Sequence, residues 1–128
     1  MTEEDIVLTN LLKAKRSFED ALMRTRDDLG RDACIQRFEY CYELSWKTLK
    51  KVFLIKGLED INSPKSVFRE AAVQGLIEDP IIWFEFITLR NLTVHTYNED
   101  TADKVFKKLN EFKIELNELV KKLQIYMK

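Results

Sequence analysis

Three glycines and two prolines are all that this 128-residue chain offers to interrupt regular backbone. A many-stranded β fold consumes such residues at its turns, so their scarcity leaves room mainly for a few long helices. Where they fall, they punctuate a helical pattern. Leu8, Leu11, Leu12, Phe18, Ala21 and Leu22 recur at helical spacing and predict a first helix from Glu3 to about Asp28, with Gly30 marking the break. A second helix is expected from about Arg31 to Lys56. Along it Cys34, Phe38, Cys41, Ser45, Thr48, Val52 and Ile55 form one line, and Ile35, Tyr42, Trp46, Leu49 and Phe53 lie beside it. An apolar face that wide suits a central helix with several neighbours. Gln36, Glu39, Glu43, Lys47 and Lys50 form its polar strip, which reads as a solvated face. Gly57 ends this helix. Ser63 and Pro64 then supply an N-cap and a first-turn proline for a short third helix that closes at Gly75-Leu76. Asp79-Pro80 repeats the start signal before Ile81, Ile82, Trp83, Phe84, Phe86, Ile87 and Leu89, a fourth helix whose first two turns are expected to be buried. Asn98 caps the last helix, where Val105, Leu109, Phe112, Leu116, Leu119, Leu123 and Tyr126 alternate by four and three. Short connections between such helices predict an all-α, up-and-down bundle of four to five helices, with residues 1–128 as one domain.

The 21 basic and 22 acidic side chains give a net charge of -1, which argues against a generally polybasic nucleic-acid binder or a membrane-surface protein. Any anion must be held by a local arrangement. Residues 41–69 carry Lys47, Lys50, Lys51, Lys56, Lys65 and Arg69 against Glu43, Glu59 and Asp60, a local excess of three that could extend an RNA-binding face but reads more simply as solvated surface. Residues 70–89 carry four acidic side chains and no basic one, so RNA is not expected along them. The acidic start Met1-Thr2-Glu3-Glu4-Asp5 lacks the basic and apolar regions of a signal peptide, and no apolar run approaches membrane-spanning length. A soluble, cytoplasmic protein is expected. Cys34 and Cys41, seven residues apart on one helix, have Cα atoms separated by about 10 Å, too far for a disulfide, and read as buried free thiols. One histidine and no C-x-x-C pair leave no zinc ligand set at the usual spacing, and neither a metal nor a cofactor is expected.

That single histidine lies where polar groups abruptly replace the apolar run, in Arg90-Asn91-Leu92-Thr93-Val94-His95-Thr96-Tyr97-Asn98-Glu99. Arg90 is the only arginine after Arg69. If the fourth helix continued this far, Asn91 and His95 would share one face and Arg90 and Tyr97 an adjoining one. A guanidinium grips phosphate oxygens with paired donors and keeps its charge. A neutral imidazole can take a proton from a hydroxyl near pH 7, and a nearby guanidinium favours that neutral form. The pair suits phosphodiester cleavage by an internal ribose 2′-hydroxyl, which needs neither a metal nor a water nucleophile. Taken alone, the same residues also fit a histidine that caps or packs at a helix end, an arginine in a surface ion pair and a half-buried tyrosine.

The segment Arg90 to Tyr97 resembles the R-x4-H-x-Y motif of the HEPN superfamily, in the version found in its nucleotidyltransferase substrate-binding branch. The flanks are similar too: Arg31 to Glu39 and Glu43 to Lys50 resemble the family's second helix, and Ser63 to Ala71 with Gly75-Leu76-Ile77 its middle section. The resemblance implies a five-helix bundle forming a homodimer, with two motifs facing each other across a cleft where paired arginines and histidines concentrate positive potential. It implies a minimal nucleotidyltransferase as partner in a larger complex. In the toxin–antitoxin form of this family the helical dimer is a metal-independent endoribonuclease, silenced when the partner adds AMP to the motif tyrosine. His95 would then be the general base or acid, Arg90 would hold the phosphate, Asn91 would orient it, and Tyr97 would be adenylylated. The alternative within the same branch is a non-catalytic subunit that presents substrate to the nucleotidyltransferase. In a third, purely structural reading the motif only caps the bundle.

Overall fold

The computed structural model describes residues 2–128. Its elements are α1 (Glu3–Arg24), α2 (Asp28–Ile55), α3 (Pro64–Val73), α4 (Pro80–Leu92), a 3₁₀ turn (Thr93–His95), α5 (Glu99–Lys107) and α6 (Leu109–Tyr126). Among the described residues there is no strand. The last helix expected from the sequence is therefore interrupted at Lys108, whose N–H bonds to the Val105 carbonyl in an i to i+3 turn. With α5 and α6 counted as that one segment, the chain is an all-α bundle of five helices.

The caps lie where side-chain chemistry demands them. Ser63, Asp79 and Asn98 each accept hydrogen bonds from backbone N–H groups of the turn that follows, as the sequence predicts. Gly57 and Gly75, with φ of 87° and 77°, take the left-handed position past α2 and α3. The first break differs from expectation: it falls at Thr25-Arg26-Asp27, and α2 begins three residues before Arg31. Asp27 is the cap, accepting from the Gly30 N–H at 2.8 Å, so Gly30 lies inside the first turn of α2. Gly30 is small for packing, not for turning. A Cβ there would sit 2.9 Å from Thr25 Oγ1 and 3.1 Å from Thr25 Cα, so glycine lets α1 and α2 fold back tightly on each other.

Helix α2 is the hub, touching α1, α3, α4, α5 and α6, as its wide apolar face requires. Around it Phe18, Phe38, Phe68, Trp83, Phe86 and Phe112 form one buried aromatic centre. Phe112 meets Phe38 edge-on at 4.8 Å and Phe86 at 5.0 Å, while Trp83 stacks on Phe68 at 4.9 Å. Cys34 and Cys41 are free and buried, and burial pushes the Cys41 thiol up to about 12.

The expected burial of the first two turns of α4 is not met. Trp83, Phe86 and Leu89 point into the core, but Ile81 is 62% exposed. The apolar run is continuous, whereas the helix lies at the edge of the bundle and offers the core only a stripe at three-residue spacing. No described helix is long and apolar enough to cross a membrane.

Candidate active site at the corner between the fourth and fifth helices

The motif is built on a corner. Helix α4 does not run on through His95, because threonine hydroxyls take over the carbonyls at its end. Thr93 Oγ1 donates to the Arg90 carbonyl at 2.7 Å, and Thr96 Oγ1 donates to the Thr93 carbonyl at 2.9 Å. The chain tightens into the 3₁₀ turn, then Asn98 starts α5 by accepting from Asp100 and Thr101. The phase expected of a continuous helix is not kept from Asn91 to His95, because the 3₁₀ turn over Thr93–His95 advances about 120° per residue.

The corner brings His95 and Tyr97 together. Tyr97 Oη lies 3.5 Å from His95 Nδ1, and the two rings meet edge to face at 6.0 Å. Both are exposed, Tyr97 by 83%, so it is not the half-buried ring the sequence also allowed. His95 neither packs in the core nor caps a helix with its ring. Asn91 is exposed, and its side chain has no hydrogen-bond partner among the described residues. Arg90, in the last turn of α4, is turned to other groups. Its Nη1 donates to Thr93 Oγ1 at 3.3 Å, and its Nε is 3.5 Å from Glu43 Oε1 of α2. No hydrogen bond or ion pair joins Arg90 to His95 within the chain's described residues.

Two residues that matter here escape a reading of the motif alone. Glu43 belongs to the polar strip of α2, yet it faces Arg90 and is held in turn by Trp46 Nε1 at 3.2 Å and Lys47 Nζ at 3.6 Å. Arg31, buried at the start of α2, binds Glu99 through both Nη atoms at 2.7 and 3.3 Å, Asp103 at 3.1 Å and Asp32 at 3.0 Å. It bolts the first turn of α5, immediately after the motif, to the hub helix. The hydrogen bond from Arg31 holds the Glu99 carboxyl below its ordinary value. The signal in the sequence is the repeated acid at Glu99, Asp100 and Asp103, which reads first as helix-dipole complementation.

Several cations of the basic stretch serve local contacts: Lys51 pairs with Glu3, Lys56 lies over the Tyr126 ring, and Lys65 and Arg69 both flank Phe84 at 5.4 Å. Among the described residues no group of three or more His, Cys, Asp or Glu side chains is placed to hold a metal ion.

The chain is thus a small all-helical bundle that exposes a histidine and a tyrosine on one interhelical corner of an R-x4-H-x-Y segment. Residues 7–125 match the family described as nucleotidyltransferase substrate binding protein like, and the chain belongs to that family. It is 36% identical over 94 residues to the Probable ribonuclease HepT of Haemophilus influenzae, a match covering 70% of this chain and 64%, less than two thirds, of that relative. A Haemophilus influenzae structure, described as revealing the fold of a substrate binding domain of a nucleotidyltransferase, superimposes with a TM-score of 0.85 at 31% identity, covering 91% of this chain and 98% of that one. A crystal structure from Thermus thermophilus matches with a TM-score of 0.79 at 35% identity, covering 88% and 98%.

Proposed function

We propose that this chain is the toxin subunit of a HEPN-type toxin–antitoxin pair: a cytoplasmic homodimer that cleaves RNA without a metal and is silenced when a minimal nucleotidyltransferase adds AMP to Tyr97. The observation that carries this reading is the exposed pairing of His95 and Tyr97 at 3.5 Å on the corner that follows Arg90. An imidazole in that position does no structural work, and a phenol 83% exposed is open to a modifying enzyme. The name carried by the Haemophilus influenzae relative, a ribonuclease, supports the same chemistry.

In the reaction, His95 takes the proton of a ribose 2′-hydroxyl as its oxygen attacks the adjacent phosphorus. The new P–O2′ bond forms as the P–O5′ bond breaks, and the leaving 5′-oxygen receives a proton from imidazolium of the same or the second copy. Arg90 stabilises the charge that builds on the phosphate oxygens, and Asn91 orients them. The products are a 2′,3′-cyclic phosphate and a 5′-hydroxyl. Two facing motifs place two arginines and two histidines around one phosphate, which supplies locally the positive potential that the whole chain, at -1, lacks.

The test is RNA cleavage by the purified protein in excess chelator, with end-group analysis. Cyclic phosphate ends are expected, and His95→Ala is expected to slow cleavage by about 10² to 10⁴-fold. Cleavage unchanged by that substitution would sink the assignment. A subunit that only presents substrate, as the family description suggests, would leave RNA intact and still co-purify with its nucleotidyltransferase.

A further inference from the structure

The Arg90 Nε is buried and has no aligned hydrogen-bond acceptor among the described residues. The nearest opposite charge is Glu43 Oε1 at 3.5 Å, an ion-pair distance. A buried guanidinium edge left alone would swing toward water or toward another acceptor, because its desolvation is uncompensated. Glu43 is well placed to prevent this. It stands on the hub helix, is only 34% exposed in its side chain, and has its other oxygen, Oε2, fixed by Trp46 and Lys47. Thr93 takes the Nη1 corner of the guanidinium while its own hydroxyl hydrogen is used on the Arg90 carbonyl. The third nitrogen, Nη2, makes no hydrogen bond or ion pair among the described residues.

From this division of one guanidinium, we infer that Glu43 is a positioning residue: it holds the Nε edge of Arg90 against α2 so that the Nη2 edge is free to receive a phosphate oxygen. The inference rests on the ribonuclease reading for the identity of the phosphate, which is that of an RNA backbone, while the positioning itself is a property of the free protein. Charge and position are separable. Glu43→Asp keeps the carboxylate but draws it back by one methylene, Glu43→Gln keeps an acceptor oxygen at full length without charge, and Glu43→Ala removes both. If Glu43 merely competed with phosphate for Arg90, removing its charge would tighten substrate binding and leave turnover unchanged or faster. If it positions Arg90, the loss falls on turnover, because a group misplaced by about 1 Å can cost about 10²-fold.

The experiment measures hydrogen exchange of the Arg90 Nε–H by NMR, identified by its absence in Arg90→Lys, together with kcat and KM for cleavage of an oligoribonucleotide. Wild type is expected to show a slowly exchanging Nε–H. Glu43→Ala and Glu43→Asp should accelerate that exchange and lower kcat about 10- to 100-fold with KM unchanged and the melting temperature nearly so, and Glu43→Gln should recover most of both losses. Exchange and kcat as in wild type for both Glu43→Ala and Glu43→Asp, or a raised kcat in Glu43→Ala, would overturn the inference. Should wild type fail to cleave RNA at all, the ribonuclease reading falls and the exchange rate alone decides: accelerated exchange in Glu43→Asp upholds the positioning of Arg90, and unchanged exchange refutes it.

Discussion

Tyr97 differs from Tyr42 in everything but covalent structure. Tyr42 is buried on the inner face of the hub helix, its phenol pushed up to about 12, mainly by burial, while Tyr97 presents its hydroxyl to solvent beside an imidazole nitrogen. A modifying enzyme can reach the second and not the first. Under the proposed function, co-expression with a minimal nucleotidyltransferase partner is therefore expected to raise the intact mass by whole adenylyl units, and Tyr97→Phe to abolish the increase. An increase that persists in Tyr97→Phe assigns the modification elsewhere, with Tyr40, 47% exposed, the first alternative. At this scale the motif is legible because Arg90, Asn91, His95 and Tyr97 lie within eight consecutive residues, whose types state their chemistry. Glu43 and Arg31 are not. A carboxylate on a polar strip and an arginine among acids look like solvated surface until the fold brings each to a partner far along the chain, 68 residues away for Arg31 and Glu99.

Two elements owe their placement to single residues. The turn between α1 and α2 is tight because Gly30 has no Cβ, and Gly30→Ala would force an atom against the backbone of Thr25. It is expected to destabilise the protein by about 1–3 kcal/mol, as overpacking does, checked by the urea midpoint; an unchanged midpoint would show that Thr25 moves freely. The start of α5 depends on Arg31. Because the Glu99 carboxyl is held below its ordinary 4.5, the pair stabilises the fold fully above that pH and loses its contribution as pH falls through the lower folded value. Glu115 acts in the opposite sense: burial first, then Glu78, Glu111 and Glu118, raise it, so its protonation in acid favours the folded state. The difference in melting temperature between wild type and Arg31→Met is thus expected to be largest near neutral pH and to shrink in acid below about pH 4.5. A gap constant with pH would assign Arg31 a packing role only. The caps at Ser63, Asp79 and Asn98 are legible in the sequence, because N-caps act on their immediate neighbours, while the cap at Asp27 and the break at Lys108 are not. The end of α4 is not, since an apolar run followed by polar residues does not reveal that two threonine hydroxyls divert the carbonyls.

The bundle as a whole is organised by four rings from three helices converging on Phe112 of α6, which meets Phe18, Phe38, Trp83 and Phe86. Phe112→Ala leaves a cavity at that junction and is expected to cost about 3–5 kcal/mol in denaturant unfolding. A cost under about 1 kcal/mol would mean that the neighbouring rings collapse into the space. By itself the sequence determined that the chain is helical, which faces are apolar and which short segment is the candidate site, since propensity, capping and periodicity act over a few residues. Only the tertiary structure decided that α4 lies at the edge with part of its apolar run exposed, that Arg90 is shared between Glu43 and Thr93, and that Arg31 anchors the far side of the motif. Those contacts join residues distant in the chain, and their energies depend on burial and approach, which no local pattern encodes.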